Sequence, residues 1–147
     1  MKTPPSRAIL AAAAALLLSP LLYGQSPTPT KPPVGIPADA TLFNGKWYRV
    51  YIERVPWTRA KEKCKALGGQ LAVVPDEQTW DFLKSRSPAA LWLGGTDEET
   101  EGVWKWVDGT SLGFTAWMPG QPDNHKRSEH YLTIHVGAWN DVPKSGN

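Results

Sequence analysis

Trp117-Met118-Pro119-Gly120-Gln121-Pro122-Asp123-Asn124, joined downstream by Trp139-Asn140-Asp141, is the stretch from which the fold of this chain is legible. The first part closes a segment, Gly109 to Ser128, that has neither a helical nor a strand period. A loop of that length in a compact domain is usually functional, or is held by something other than ordinary side-chain packing. Gln121, Asp123, Asn124, Glu129, Asn140 and Asp141 all offer hard oxygen atoms, and Asp97 and Glu101 add two more. Calcium takes six to eight such oxygens at about 2.3–2.6 Å. Taken singly, each of these residues is an ordinary solvated turn former, so spacing alone names no site.

Upstream of the loop the pattern is regular. Gly45 to Ile52 alternates apolar and polar residues as a strand does. Pro56 opens a predicted helix in which Trp57, Ala60, Cys64 and Leu67 form one apolar stripe, ended by Gly68-Gly69. Leu71 to Val74 reads as a short buried strand. Asp76 is a cap for a second helix with Trp80 and Leu83 facing inward. After Leu91 the helical period disappears. Leu91-Trp92-Leu93 and Val103 to Val107 are strand candidates, the latter ending at the turn Asp108-Gly109. Tyr131 to Val136 and Ala138 to Val142 read as two closely spaced strands. The class expected is α+β, with two helices first, short antiparallel strands after, and a long loop between them.

The N-terminal part differs in composition. Residues 1–24 resemble a secretory signal, with Lys2 and Arg7 ahead of an apolar run from Ala8 to Leu22 and a small residue, Gly24, at a plausible cut. An uncleaved anchor is the other reading, although Ser19-Pro20 leaves the run short of a spanning helix. Residues 25–41 contain Pro27, Pro29, Pro32, Pro33 and Pro37 and read as an extended linker to a domain at 42–147. Lys2 and Arg7 account for the net charge of +2, and the rest of the chain carries 14 basic and 14 acidic residues. That balance argues against a nucleic-acid partner, which needs a concentrated basic face. A secreted, periplasmic or cell-surface location is expected. The single cysteine, Cys64, has no partner within the chain.

Six motifs then fall in one order: Trp57-x-x-Ala60-x-x-x-Cys64, Gly68-Gly69-x-Leu71-Ala72, Trp92-Leu93-Gly94, Glu101-Gly102-x-Trp104-x-Trp106, Trp117-x-x-Gly120-Gln121-Pro122-Asp123 and Trp139-Asn140-Asp141. In this order and spacing they resemble a C-type lectin-like domain, and the resemblance spans positions 45 to 143. It implies a double-looped α+β fold whose long loop is ordered by calcium as cofactor. It implies a main calcium site at Gln121, Asp123, Glu129, Asn140 and Asp141, with a cis peptide before Pro122. It further implies an auxiliary calcium site at Asp97, Glu101 and Asn124, sharing Glu129.

In this family sugar hydroxyls complete the sphere of the main ion, so the resemblance assigns the glycan to Gln121, Asp123, Glu129 and Asn140, with His125 as a weak stacking partner. Gln121 binds through oxygen and donates through nitrogen, whereas Asp123 only accepts. That donor-first order resembles the galactose-type members. The place of their stacking aromatic is filled by Asn124-His125, and their glycine-rich loop is missing. Glycans or glycoconjugates are the expected partners. The alternative is a calcium-independent protein-binding module on the same surface, since fold does not decide function.

The resemblance also implies two disulfides, and neither can form within the chain. Tyr131 and Lys144 stand where one pair would be, and Cys64 would pair with a final strand beyond Asn147. The chain is therefore expected to be cut short, to leave the strand at Trp47 without a partner, and to be marginally stable and prone to edge association. No enzyme is expected: there is no Gly-x-Ser-x-Gly elbow and no placed Cys–His pair. His125, His130 and His135 read as loop or solvated histidines. Trp57, Trp80, Trp92, Trp104, Trp106 and Trp117 read as core.

Overall fold

The structure is a computed structural model that describes residues 7–14, 31–87 and 90–146. Ten strand and helix elements and a 3-10 turn come in the order β1 (Arg7–Ala14), β2 (Thr41–Phe43), β3 (Lys46–Tyr51), α1 (Trp57–Ala66), β4 (Gln70–Leu71), α2 (Glu77–Lys84), β5 (Ala90–Thr96), β6 (Lys105–Trp106), the turn His125–Arg127, β7 (Tyr131–His135) and β8 (Ala138–Val142). The main path of the sheet runs β2-β3-β1-β5-β7-β8, with β4 on β1 and β6 on β5. The architecture is α+β, with two helices and mostly antiparallel strands.

Both helices form for the reasons legible in the sequence. In α1 the buried residues are Trp57, Ala60 and Cys64, at helical spacing. Leu67 departs from the expected stripe: it is the C-cap and is 51% exposed, because the helix has ended before it could turn that face inward. At the start of α2, the Thr79 N–H donates to Asp76 Oδ1 at 2.7 Å, satisfying one of the free amides of the first turn. Trp80 and Leu83 are buried as expected, and Thr79 and Phe82 join them. The Leu71–Val74 segment is buried throughout but pairs as a strand only over Gln70–Leu71.

The strand at Trp47 is not an unpaired edge. β3 pairs antiparallel with β2, from Thr41↔Tyr48 to Phe43↔Lys46, and on its other side with β1, from Ile9↔Tyr51 to Ala14↔Lys46. β1 also runs parallel to β5, from Arg7↔Ala90 to Ile9↔Trp92. A continuous apolar run suits a central strand as well as it suits an export segment, and periodicity cannot separate the two. The remainder of the 1–24 segment lies outside the described residues. In the linker, Ile36 and Ala40 N–H groups close two turns onto Pro33 and Pro37 carbonyls at 3.0 Å, and β2 begins at Thr41.

The fold is braced without disulfides. Cys64 is free and fully buried among Trp57, Ala60, Leu71, Trp92, Tyr131 and Val142. Burial pushes its thiol up to about 12, so it acts as a small apolar filler rather than a nucleophile. Tyr131 packs its ring against Trp57 at 4.9 Å, and the Trp57 N–H donates to the Lys144 carbonyl at 2.9 Å. The two positions at which the resemblance implies a disulfide thus both meet the start of α1. The indole of Trp57 also donates to the Leu93 carbonyl at 2.8 Å, and that of Trp92 to Val55 at 2.9 Å.

β5 carries Gly94 and Gly95 where neighbouring strands approach closely. A Cβ at Gly95 would lie 2.9 Å from Leu132 Cδ1 and 3.0 Å from Leu132 Cβ. Gly95→Ala is expected to lower stability by about 1–3 kcal/mol through overpacking. The check is a urea melt, in which the midpoint should fall with the slope unchanged.

Candidate functional site

The long loop is fixed to the sheet by aromatic packing and two backbone hydrogen bonds. Trp139, fully buried on β8, is met edge-on by Trp80, Trp106, Phe114 and Trp117, with centroids 5.6 to 5.9 Å away. Each such pair adds about 0.5–1.5 kcal/mol beyond area burial. Trp104 packs on Trp117 in turn, at 4.9 Å. The Trp139 N–H donates to the Ala116 carbonyl at 2.7 Å, and the Met118 N–H donates to the Trp139 carbonyl at 2.9 Å. The segment before Gly120 therefore lies alongside β8, and Gln121-Pro122-Asp123 is delivered next to Asn140 and Asp141. The Gln121–Pro122 peptide is cis, as the resemblance implies.

Asp141 organises the end of the loop. Its carboxylate is fully buried; Oδ2 accepts from the Asn124 N–H at 2.8 Å and Oδ1 from the Asp123 N–H at 3.3 Å. Asn124 Oδ1 accepts from the Glu129 N–H at 3.0 Å, and Gln121 Oε1 from the Asp123 N–H at 3.1 Å. The backbone is forced through the left-handed region at Asn124 (φ 43°), Lys126 (φ 56°) and Arg127 (φ 55°). Strain of this kind persists only where surrounding contacts over-determine it, and it concentrates at ligand-binding loops.

Carboxylate oxygens of Asp123, Glu129 and Asp141 lie within 4.8 Å of one another. Two like charges at that separation repel by about 3 kcal/mol at an effective dielectric of about 20. The group can hold a divalent cation, which would remove the repulsion. Asn140 sits beside Asp141 on β8, opposite Thr133, half-buried. His125 is exposed, and its backbone N–H donates to Asp123 Oδ1 at 3.3 Å. Of the residues the resemblance assigns to the auxiliary site, Asp97 and Glu101 meet in a second cluster with His130. Asn124 is held by its own hydrogen bonds, its N–H donating to Asp141 Oδ2 and its Oδ1 accepting from the Glu129 N–H. Sequence reasoning reads His130 as a solvated or loop histidine and misses its place in this cluster. The signal available is its position directly after Glu129, but pairing it with Asp97 needs the strand register.

Burial, and then the charges of Asp141 and Asp123, raise the Glu129 carboxyl above its ordinary range. Burial also raises Asp141, against the lowering effect of the Asn124 and Asp123 amides. Groups raised in the folded state bind protons more tightly there than in the unfolded chain. They therefore add stability as pH falls from their raised values to the ordinary carboxylate range near about pH 4. Asp76 is lowered by its hydrogen bonds with Thr79, and Glu99 by its bond to Lys105, so their stabilisation is lost at lower pH. Chelated protein is expected to melt higher on mild acidification from neutral pH. Protein saturated with a divalent cation should melt lower over the same range as protons displace the ion. Two calorimetric melting series check this, and parallel curves would contradict it.

Comparison with known proteins agrees with this fold. Residues 53–145 match the lectin C-type domain family. The chain is 39% identical over 110 residues to C-type lectin domain family 4 member F of Mus musculus, covering 68% of this chain and 20% of that protein. It is 35% identical over 104 residues to the hepatic lectin of Gallus gallus, covering 68% and 50%. The chain thus spans half or less of the length of these two curated relatives. Among solved structures, the carbohydrate-recognition domain of the mouse scavenger receptor C-type lectin superposes with a TM-score of 0.73 at 28% identity, covering 76% of this chain and 91% of that one. A calcium-independent type II antifreeze protein superposes with a TM-score of 0.67 at 26% identity, covering 74% and 85%. With six sequence motifs, the fold and the family match in agreement, the chain belongs to the C-type lectin domain family, a non-catalytic module for carbohydrate or protein recognition.

Proposed function

We propose that the domain binds glycans through a calcium ion held by Asp123, Glu129 and Asp141, with Gln121 and Asn140 completing the oxygen set. The observation that carries this reading is the meeting of three carboxylates, two of them buried, at the end of a loop fixed by Trp139. All the donors are hard oxygens, which suits calcium. The ion would order the loop and present open coordination positions to neighbouring sugar hydroxyls. Gln121 and Asn140 would each offer an oxygen to the ion and an amide N–H to a hydroxyl, while Asp123 and Glu129 would accept. That arrangement favours a galactose-type hydroxyl pair, with His125 at the rim.

Calcium affinity in the range of about 10⁻⁴–10⁻³ M, common for extracellular modules, is expected. Single sugars should bind weakly, with clustering supplying avidity. The chain is proposed to be exported. No helix among the described residues is long and apolar enough to cross a membrane.

The second reading is calcium-independent recognition of a protein or other surface through the same loop face. The likeness to a calcium-independent type II antifreeze protein favours it, since the fold stands there without the ion. So does the exposed His125 where galactose-type members carry an aromatic ring. Calorimetric titration with calcium, then a glycan array with and without chelator, separates the two. Saturable calcium binding with chelator-sensitive glycan binding supports the first reading. A folded protein that ignores calcium and binds its target in chelator establishes the second.

A further inference from the structure

We propose that the site at the end of the long loop prefers galactose-type sugars bearing an anionic substituent, a sulfate ester or a carboxylate, met by Lys126 and Arg127. This inference rests on the calcium–glycan reading and names the substrate class of that site. The two residues belong to the arch that joins Asp123 to Glu129. Its base is closed by the Glu129 N–H on Asn124 Oδ1 at 3.0 Å, and its middle by the Arg127 N–H on the Asn124 carbonyl at 2.8 Å. Lys126 stands three residues from Asp123 and three from Glu129. Three residues of chain span at most about 10–11 Å. The backbone thus holds both cations beside the carboxylates that meet at the proposed ion.

Neither side chain is used by the fold. Lys126 and Arg127 are exposed, as is His125 before them. Elsewhere Arg49, Arg59, Lys63, Lys84 and Lys105 are each tied to a carboxylate. Lys126 and Arg127 form no ion pair among the described residues, although Asp123 and Glu129 lie within four positions of both. Both also lie in the left-handed region, at φ 56° and 55°. A Cβ is penalised there and glycine is not. Glycine at either position would make the same turn more easily, so the two charges are carried against the preference of the backbone.

Charge decides the ligand class. Asp123, Glu129 and Asp141 around one dication leave a net charge of −1, which repels an anionic sugar. Lys126 and Arg127 reverse the local sign. A plain hydroxyl gains little from two exposed cations. A sulfate or carboxylate gains charge-assisted hydrogen bonds, bidentate at Arg127. Exposed pairs of this kind are modest, so the expected preference is roughly 3–10-fold.

The test measures binding of the calcium-saturated full chain to three immobilised sugars: galactose, galactose 6-sulfate and galacturonic acid. Wild type is expected to half-saturate on the anionic sugars at roughly 3–10-fold lower concentration than on galactose. The advantage should vanish in about 1 M salt, where charges are screened beyond about 3 Å. An advantage confined to one of the two anionic sugars supports the proposal and identifies the anion. Lys126→Gly with Arg127→Gly should bring the three sugars to equal affinity, and glycine suits both left-handed positions, so the variant is expected to fold. Lys126→Glu with Arg127→Glu should place galactose first, and circular dichroism confirms that each variant is folded. Calcium-dependent binding of galactose by wild type with no gain on either anionic sugar would overturn this proposal and leave the calcium–glycan reading standing. Binding of the anionic sugars that persists in chelator, or that survives in the double glycine variant, would overturn it too. Folded wild type that binds none of the three sugars in calcium would overturn both.

Discussion

Trp139→Ala is expected to cost about 3–5 kcal/mol, a large part of the stability of a domain this size. The indole is fully buried and is the common neighbour of Trp80 from α2, Trp106 from β6, and Phe114 and Trp117 from the long loop. Removing it opens a cavity between three parts of the chain at once, and α2, β6 and the loop cannot all collapse onto one void. The loss is not confined to the core. The segment that delivers Gln121 and Asp123 lies against β8 through Ala116 and Met118, and its packing partner would be gone. Cation binding should therefore weaken together with stability. Urea melts of Trp139→Ala and Trp139→Phe measure the first effect, with the phenylalanine variant falling between. A cost below about 1 kcal/mol for the alanine variant would mean the loop is held in some other way.

Asp141→Asn should separate the two roles of that residue. An isosteric amide keeps one oxygen, which can still accept the stronger bond, from the Asn124 N–H at 2.8 Å. The bond from Asp123 at 3.3 Å is then faced by an NH₂ group and lost, so folding should change by only about 1 kcal/mol. Cation binding should fall by on the order of 100-fold, because the site loses a buried formal charge from its set of three. Calorimetric titration with calcium reads the second effect and a thermal melt the first. If calcium binding survives in the variant, the ion does not sit at this cluster. If wild type shows no calcium binding at all, the calcium-independent reading stands and Asp141 serves as a buried organiser of the loop backbone.

Gly95→Ala and the pH series act on different terms of the stability. The glycine variant tests close packing between β5 and β7 and should leave the loop-end cluster intact. The pH series tests whether the charges of Glu129 and Asp141 destabilise the ion-free fold. Agreement in one says nothing about the other.

Local pattern was sufficient for much of this protein. The stripe of α1, the cap at Asp76, the paired strands β7 and β8 and the absence of any period between Gly109 and Ser128 are all short-range properties. A helix face or a strand face is set by neighbours a few residues away, so one sequence is enough to see it. The oxygen donors were visible too, and the order of six motifs told which fold would carry them. Tertiary structure decided what those signals could not. Leu67 is exposed because α1 stops, and Arg7–Ala14 is placed as a central strand by pairing with β3 and β5, although its apolar run suits other fates. Asp123, Glu129 and Asp141 converge because the rings around Trp139 fold the loop back onto β8. His130 meets Asp97 because of the register of β5 against β7. Sequence determined the elements and the chemistry available, since both are local. Which donors share a cation was left to register and aromatic packing, which join residues too far apart for any local period to record.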